Sequence, residues 1–275
     1  MRKIEEKAKV MAQLAVFACP VCGEPLSVSG TSLLCPNGHR YDLAKKGTVN
    51  FLAKPSPTEY DTPMLEARRR VLQAGFFAPF IEAIGSRLGA GETVLDVGCG
   101  EGTPTAALAQ SGALAVGFDI SAPAIALAGR LATSAVFCVA DLARLPFQDD
   151  SFAAVVDLFS PGAYHEFDRV LRPGGRLFKV IPAAGYLREL RQGLYAGTAK
   201  AEYSNQPVLD RFLAAYPGAV QTPLTYDFPV TAAQFSDVMK MTPLTWQADA
   251  AKRAAMLQSP PTSIHVDVCL LEASR

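Results

Sequence analysis

Apolar positions along the chain change their spacing several times, and each change marks a different kind of element. Near the N-terminus Ile4, Lys7/Ala8, Met11 and Leu14/Ala15 recur every three to four residues, which predicts a short amphipathic helix or tail. Gln13, Glu5 and Glu6 interrupt the apolar run and basic leader that a secretory signal needs. Residues 18–50 are short-patterned and rich in turn residues, and residues 53–63, AKPSPTEYDTP, predict an extended or mobile linker. From Met64 to Leu88, positions such as Leu65, Val71, Phe76, Phe80 and Ile84 suit helices broken near Gly75 and Pro79. From Thr93 the pattern becomes strand-length apolar runs, TVLDVG, ALAVGFDI, AVFCVAD and FAAVVDLF. Alanine-rich helical stretches at 103–111 and 121–132 lie between them. Such alternation predicts an α/β fold, a doubly wound, mostly parallel sheet covered on both faces. Helix-like segments follow at 185–200 and 231–240, and SIHVDVCLLEA predicts a last sheet strand.

Composition narrows the function classes without choosing one. Of 275 residues 49% are hydrophobic and 19% charged, which allows a sizeable core and argues against disorder. No run of eighteen apolar residues occurs, so neither a transmembrane helix nor a membrane partner is expected, and a cytoplasmic location is. Twenty-six basic residues balance twenty-six acidic ones. Residues 1–80 nevertheless hold eleven Lys/Arg against seven Asp/Glu, a basic front end that fits an anionic partner gripped from one side.

The cysteines divide by position. Cys99, Cys138 and Cys269 stand singly, whereas Cys19-Pro-Val-Cys22 is followed after twelve residues by Cys35-Pro-Asn-Gly-His39. Two donors two residues apart sit on one tight turn, and a second turn supplies two more. Gly23, Pro25, Pro36 and Gly38 permit those turns. Three thiolates and an imidazole match Zn2+ in softness and geometry. With every position filled by protein the ion is structural, contributing roughly 10 kcal/mol or more to a module too small for its own core. Arg40, Lys45 and Lys46, with Tyr41 interleaved, point to RNA as the module's ligand; a solvated charged face is the plain alternative. The punctuation of the chain then separates residues 1–50, a zinc-binding RNA-recognition module with its tail, from 51–88, linker and helices, and 89–275, the larger body.

Residues 93–102 read as an apolar strand entering a glycine loop, with Asp96 two residues ahead of Gly98, Gly100 and Gly102. Glycines allow positive φ and close backbone approach to a ligand past a strand's carboxyl end. Thr103 and Pro104 suit the start of the next helix. Asp119 ends the next strand, where a carboxylate accepts ribose hydroxyls, and Asp141 ends the third, flanking an adenine with Leu142. Three carboxylates at successive strand ends fit a cationic, phosphate-free nucleoside such as S-adenosyl-L-methionine better than an anionic dinucleotide.

The segments VLDVGCGEG, GFDIS, ADLARLPF and RVLRPGG resemble the class I, Rossmann-like, S-adenosylmethionine-dependent methyltransferases. Across nearly the whole chain CPVCGEPL, CPNGHRYDLAKKGTVNFL, EARRRVLQAGFFAPF, LFSP and MTPLTW together resemble the bacterial 23S ribosomal RNA guanine-N1 methyltransferases. That resemblance implies a small N-terminal zinc-ribbon domain joined to a methyltransferase domain, and methyl transfer to N1 of a guanine in a hairpin loop of 23S rRNA. It also implies homodimers and, for some members, resistance to macrolides of the tylosin type. By matching position it makes Cys19, Cys22, Cys35 and His39 the zinc ligands and sets Gly100 and Glu101 against the cofactor. Asp119 and Asp141 fall where relatives hold ribose and adenine. Phe77 stands where relatives often carry a cofactor-contacting aromatic residue, and Tyr186 where they often carry histidine.

Guanine N1 bears a proton at neutral pH, so a base within hydrogen-bond reach is expected. Asp157, after the fourth apolar run, is the candidate by position, with a strand-end structural role as the alternative. His165 suits a helix surface and His265 a structural place in the last strand. The guanine must be unpaired or flipped for its Watson–Crick edge to be reached. Two other readings stay open: a small-molecule methyltransferase whose zinc module binds protein, and a non-catalytic RNA-binding factor.

Overall fold

Helix α1 (Lys3–Leu14) turns the N-terminal period into a buried face of Lys7, Ala8, Met11 and Leu14. In the computed structural model, which describes residues 2–56 and 60–275, it is followed by a small antiparallel sheet. That sheet holds β1 (Ser27–Ser29), β2 (Ser32–Leu34) and β3 (Arg40–Asp42), in this order. Strand β4 (Val49–Asn50) leaves it and pairs in parallel with Cys138 and Val139. Of the expected linker, residues 57–59 lie outside the described residues. Helices α2 (Thr62–Gln73) and α3 (Ala78–Gly85) come next, and Asp61 caps the first by accepting from the Met64 N–H at 2.8 Å.

The apolar runs then alternate with helices as predicted. They form β5 (Thr93–Val97), α4 (Thr103–Gln110), β6 (Leu114–Asp119), α5 (Ala122–Ala128), β7 (Val136–Val139) and β8 (Phe152–Leu158). After α6 (Tyr164–Val170) and β9 (Leu171–Pro182) the chain adds α7 (Arg188–Tyr195), α8 (Gln206–Ala215), β10 (Val220–Pro229), α9 (Ala232–Met241), α10 (Ala250–Gln258) and β11 (Ser263–Ser274). The large sheet runs β10-β11-β9-β8-β5-β6-β7-β4. Its members from β9 to β4 are parallel, and only β11 opposes its neighbours. Two expected helices are shorter: the stretch 121–132 ends at Ala128, and the stretch 185–200 is helical only over α7 before a short 3-10 turn. Helices α8 and α10 and strand β10 were not marked by the apolar pattern.

Strand β5 is the switch point. The chain leaves it for β6 and β7 on one side and returns to β8 and β9 on the other, opening a crevice past the carboxyl ends of these strands. An apolar cluster containing Phe76, Phe80, Val156 and Val268 is separate from another that joins Met11, Phe17, Leu33 and Phe51 to Phe118, Phe147 and Phe167. The first fifty residues therefore share a core with the body. Backbone bonds reinforce this: Ala18 N–H donates to the Pro146 carbonyl at 2.9 Å and Gln148 N–H to that of Val16 at 2.8 Å. A column of rings runs through the junction, with centroids 5.1 Å apart for Tyr41 and Phe51 and 5.9 Å for Phe51 and Phe17. It continues at 5.6 Å to Phe147 and 6.2 Å to Phe118.

Candidate functional site

Two turns assemble the metal centre. Gly23 N–H donates to the Cys19 carbonyl at 2.8 Å and Gly38 N–H to that of Cys35 at 2.9 Å, closing each cysteine turn with a glycine at positive φ. The four donor atoms of Cys19, Cys22, Cys35 and His39 lie within 4.8 Å of one another. Cys22 Sγ stands 3.3 Å from Cys35 Sγ, and His39 Nδ1 is 3.4 Å from Cys19 Sγ and 3.6 Å from Cys22 Sγ. Tetrahedral Zn2+ with bonds of about 2.3 Å spaces its sulfur ligands roughly 3.7 Å apart, so the donors fit the ion. Asn37 N–H points at Cys35 Sγ from 3.4 Å. Tyr41 is half-buried: its hydroxyl lies 3.4 Å from Cys19 Sγ and its ring packs on Phe51. Arg40 pairs with Asp42 at 2.8 Å, while Lys45 and Lys46 are exposed.

The glycine loop lines the crevice. Gly98, Gly100 and Gly102 have φ of +62°, +57° and +88°. A Cβ on Gly98 would stand 2.3 Å from Ser160 Oγ, and one on Gly102 2.7 Å from Ala128 Cβ, so both are required for packing as well as for turning. At Gly100 the nearest atom is Arg68 Nε at 3.6 Å, and the backbone is left open to a ligand. Asp119, the last residue of β6, accepts from Gly100 N–H at 2.9 Å and Ser121 N–H at 2.8 Å, one bond per oxygen. Each oxygen keeps acceptor capacity for a ribose hydroxyl. Burial raises its pKa above the ordinary carboxylate range.

Other expected residues take different positions. Asp96 sits beneath the loop, only 1% exposed, accepting from Thr105 Oγ1 at 2.5 Å and so tying α4 to β5. Burial pushes its carboxyl up to about 7. Glu101 is fully buried; its carboxylate accepts from Arg69 Nε at 3.0 Å and Thr103 Oγ1 at 2.7 Å, which turns the side chain into the protein. Thr103 is the first helical residue of α4, and Gly102 holds the cap position. Asp141 is exposed, with Oδ1 accepting from Ala143 N–H at 2.9 Å, and Leu142 is half-buried. Ala140 N–H donates to the Asp119 carbonyl at 3.1 Å, which brings this strand end beside that of β6.

Phe77 and Tyr186 meet through a residue that the sequence did not single out. Phe159 lies 5.3 Å from the Phe77 ring and stacks on Tyr186 at 5.4 Å. Its φ is +63°, a left-handed conformation of the kind concentrated at functional turns. Asp157 holds that turn. One oxygen accepts from Ser160 N–H at 2.9 Å and the other from Lys179 Nζ at 2.6 Å, and Lys179 also donates to the Ser160 carbonyl at 2.7 Å. Burial raises the Asp157 carboxyl to about 6, with Lys179 opposing the rise. Both side chains are sealed, 0% and 2% exposed, an arrangement suited to fixing the turn better than to taking a substrate proton. His165 is exposed on α6, and His265 Nδ1 pairs with Asp227 at 2.7 Å. The signal for the turn was the LFSP segment, which shows neither the left-handed Phe159 nor Lys179.

A family model described as a methyltransferase domain matches residues 94–175, the span of the glycine loop, Asp119, Asp141 and Asp157. A second, described as RlmA, N-terminal, is a zinc ribbon and matches residues 17–55. A Bacillus subtilis protein carrying the name of a candidate 23S rRNA (guanine-N1)-methyltransferase is 36% identical over 277 residues, 96% of this chain and 98% of its own length. The 23S rRNA (guanine(748)-N1)-methyltransferase of Streptomyces fradiae is 33% identical over 254 residues, 88% of this chain and 90% of its own. By contrast, a demethylmenaquinone methyltransferase of Beutenbergia cavernae is 38% identical over 146 residues, only 47% of this chain. The domain match and the crevice identify S-adenosylmethionine as the cofactor, and the ribbon match and four converging donors identify zinc.

Proposed function

The chain belongs to the family of 23S rRNA (guanine-N1)-methyltransferases, and from that premise we propose its substrate: N1 of a guanine in a hairpin loop of 23S rRNA. The carrying observation is that likeness to rRNA enzymes spans ribbon and body alike, whereas likeness to the quinone enzyme covers about half the chain. Residues 1–50 grip the RNA, 51–88 link that module to the body and bring Phe77 to the crevice, and 89–275 perform the transfer. The exposed Lys45 and Lys46 supply cations for phosphates. No helix among the described residues is long and apolar enough to cross a membrane. The work is assigned to the cytoplasm, with a homodimer as the acting form, which sedimentation of the purified protein checks.

When bound, S-adenosylmethionine supplies a methyl group made electrophilic by positive sulfur. The backbone at Gly98–Gly102 would cradle it, Asp119 would accept from its ribose, and Asp141 and Leu142 would flank its adenine. Phe77 and Tyr186, bridged by Phe159, form the apolar wall facing the reacting end. Asp157 and Lys179 act as positioning residues, since they fix the turn that presents Phe159 and Ser160. Holding nucleophile and donor on one axis is worth up to roughly 7–11 kcal/mol in favourable cases.

The test is transfer of labelled methyl from S-adenosylmethionine to 23S rRNA from a strain lacking the modification. One methyl per rRNA, at a guanine where reverse transcriptase stops, is expected. Label on an exocyclic amine, or on small molecules alone, overturns the reading.

A further inference from the structure

Three consecutive arginines on α2 point three ways, and one of them has no hydrogen-bond or ion-pair partner among the described residues. Arg69 is bound to Glu101, at 3.0 Å to its carboxylate and 2.8 Å to its carbonyl. Arg70 grips Asp237 with two bonds of 2.7 Å. Arg68 makes no hydrogen bond or ion pair among the described residues. Half-buried, it lies with its guanidinium carbon 5.3 Å from the Phe77 ring centroid and its Nε 3.6 Å from where a Cβ of Gly100 would be. It is close enough to Asp96, Asp119 and Tyr186 to bias their charge. Its place is therefore inside the crevice, between the glycine loop and the aromatic wall.

The donor carries three charges: a sulfonium, an α-ammonium and an α-carboxylate. The first two call for oxygen acceptors, but the third needs a cation. Lys179 is engaged by Asp157, and Arg69 by Glu101. We propose that Arg68 binds the α-carboxylate of the methionyl group of S-adenosylmethionine, setting the tail of the donor against the open backbone of Gly100. The planar guanidinium offers paired donors to a carboxylate, and Phe77 holds its face. The inference rests on the cofactor reading above and adds to it the residue that recognises the amino-acid end.

Calorimetry with two ligands tests it: S-adenosylhomocysteine, which keeps the carboxylate, and methylthioadenosine, which keeps nucleoside and sulfur but lacks it. For Arg68→Gln, affinity for S-adenosylhomocysteine falls roughly 10- to 100-fold, the range for a lost charge-assisted bond, while affinity for methylthioadenosine stays within about twofold. Arg68→Lys retains part of the preference, because charge survives without the fork. Methylthioadenosine binding also reports that each variant is folded. Equal losses for both ligands, or an unchanged Kd for S-adenosylhomocysteine, would overturn the assignment. Wild-type protein that takes up neither ligand would sink the cofactor reading and this assignment with it.

Discussion

In the metal module four donors from two turns converge beside the short strands β1, β2 and β3, and Cys19, Leu26, Leu33 and Cys35 join a cluster shared with the body. In the crevice the walls are strands such as β8, buried at all seven residues, and the loop between them needs no ion to hold its shape. Glycines at positive φ serve both places. They bring ligands for an ion together in the first, and leave backbone open beside a preformed carboxylate in the second. The difference shows where order comes from: the module draws on its four ligands as well as on the core it shares with the body, whereas the crevice takes its shape from the sheet.

Metal removal should break the comparison most sharply. Cys35→Ser, or a strong chelator, removes about one zinc per chain as measured by mass spectrometry. Because roughly 10 kcal/mol or more of binding energy is folding energy in such modules, residues 18–50 become open to protease while the sheet signal in circular dichroism persists. Next in size, Asp157→Asn strands the buried Lys179 ammonium and costs about 3–5 kcal/mol in urea unfolding; adding Lys179→Met recovers most of it. A smaller effect follows from Asp96, raised to about 7 against about 3.9 in an unfolded chain. Between those values the folded state keeps a proton that the unfolded state has lost, so stability falls as pH rises from about 4 to about 7. Asp96→Asn, still accepting from Thr105, removes up to about 1.4 kcal/mol per pH unit of that slope, read from urea midpoints at pH 5 and 7. Smallest, Lys45→Ala with Lys46→Ala weakens RNA binding several-fold and lowers the salt slope by about one to two, leaving cofactor affinity unchanged.

What could be read from sequence was whatever is local. Cys19-x-x-Cys22 and Cys35-x3-His39 disclose their partners by spacing, and the strand entering Gly98–Gly102 discloses a crevice. Asp119 was legible because a strand end is a place. The burial of Asp96 was not legible, since nothing in its sequence neighbourhood shows that Thr105 donates to it from α4. Arg68, Arg69 and Arg70 read as one basic run, yet helical rotation of about 100° per residue sends them to three destinations. Strand β10 escaped notice because Pro223 and Pro229 interrupt it; as an edge strand it tolerates them, and its alternate residues stay half-exposed. Phe159 required the fold, because its left-handed turn is imposed by Ser160 and by Lys179 from β9.

The column of rings from Tyr41 to Phe118 starts 3.4 Å from a zinc thiolate and ends one residue before Asp119. A thiol oxidant or chelator that loosens Cys19 would thereby reach, through packed rings, the end of the strand that carries Asp119. Such a reagent is expected to slow methylation without competing for either substrate, which initial rates at varied S-adenosylmethionine and rRNA check.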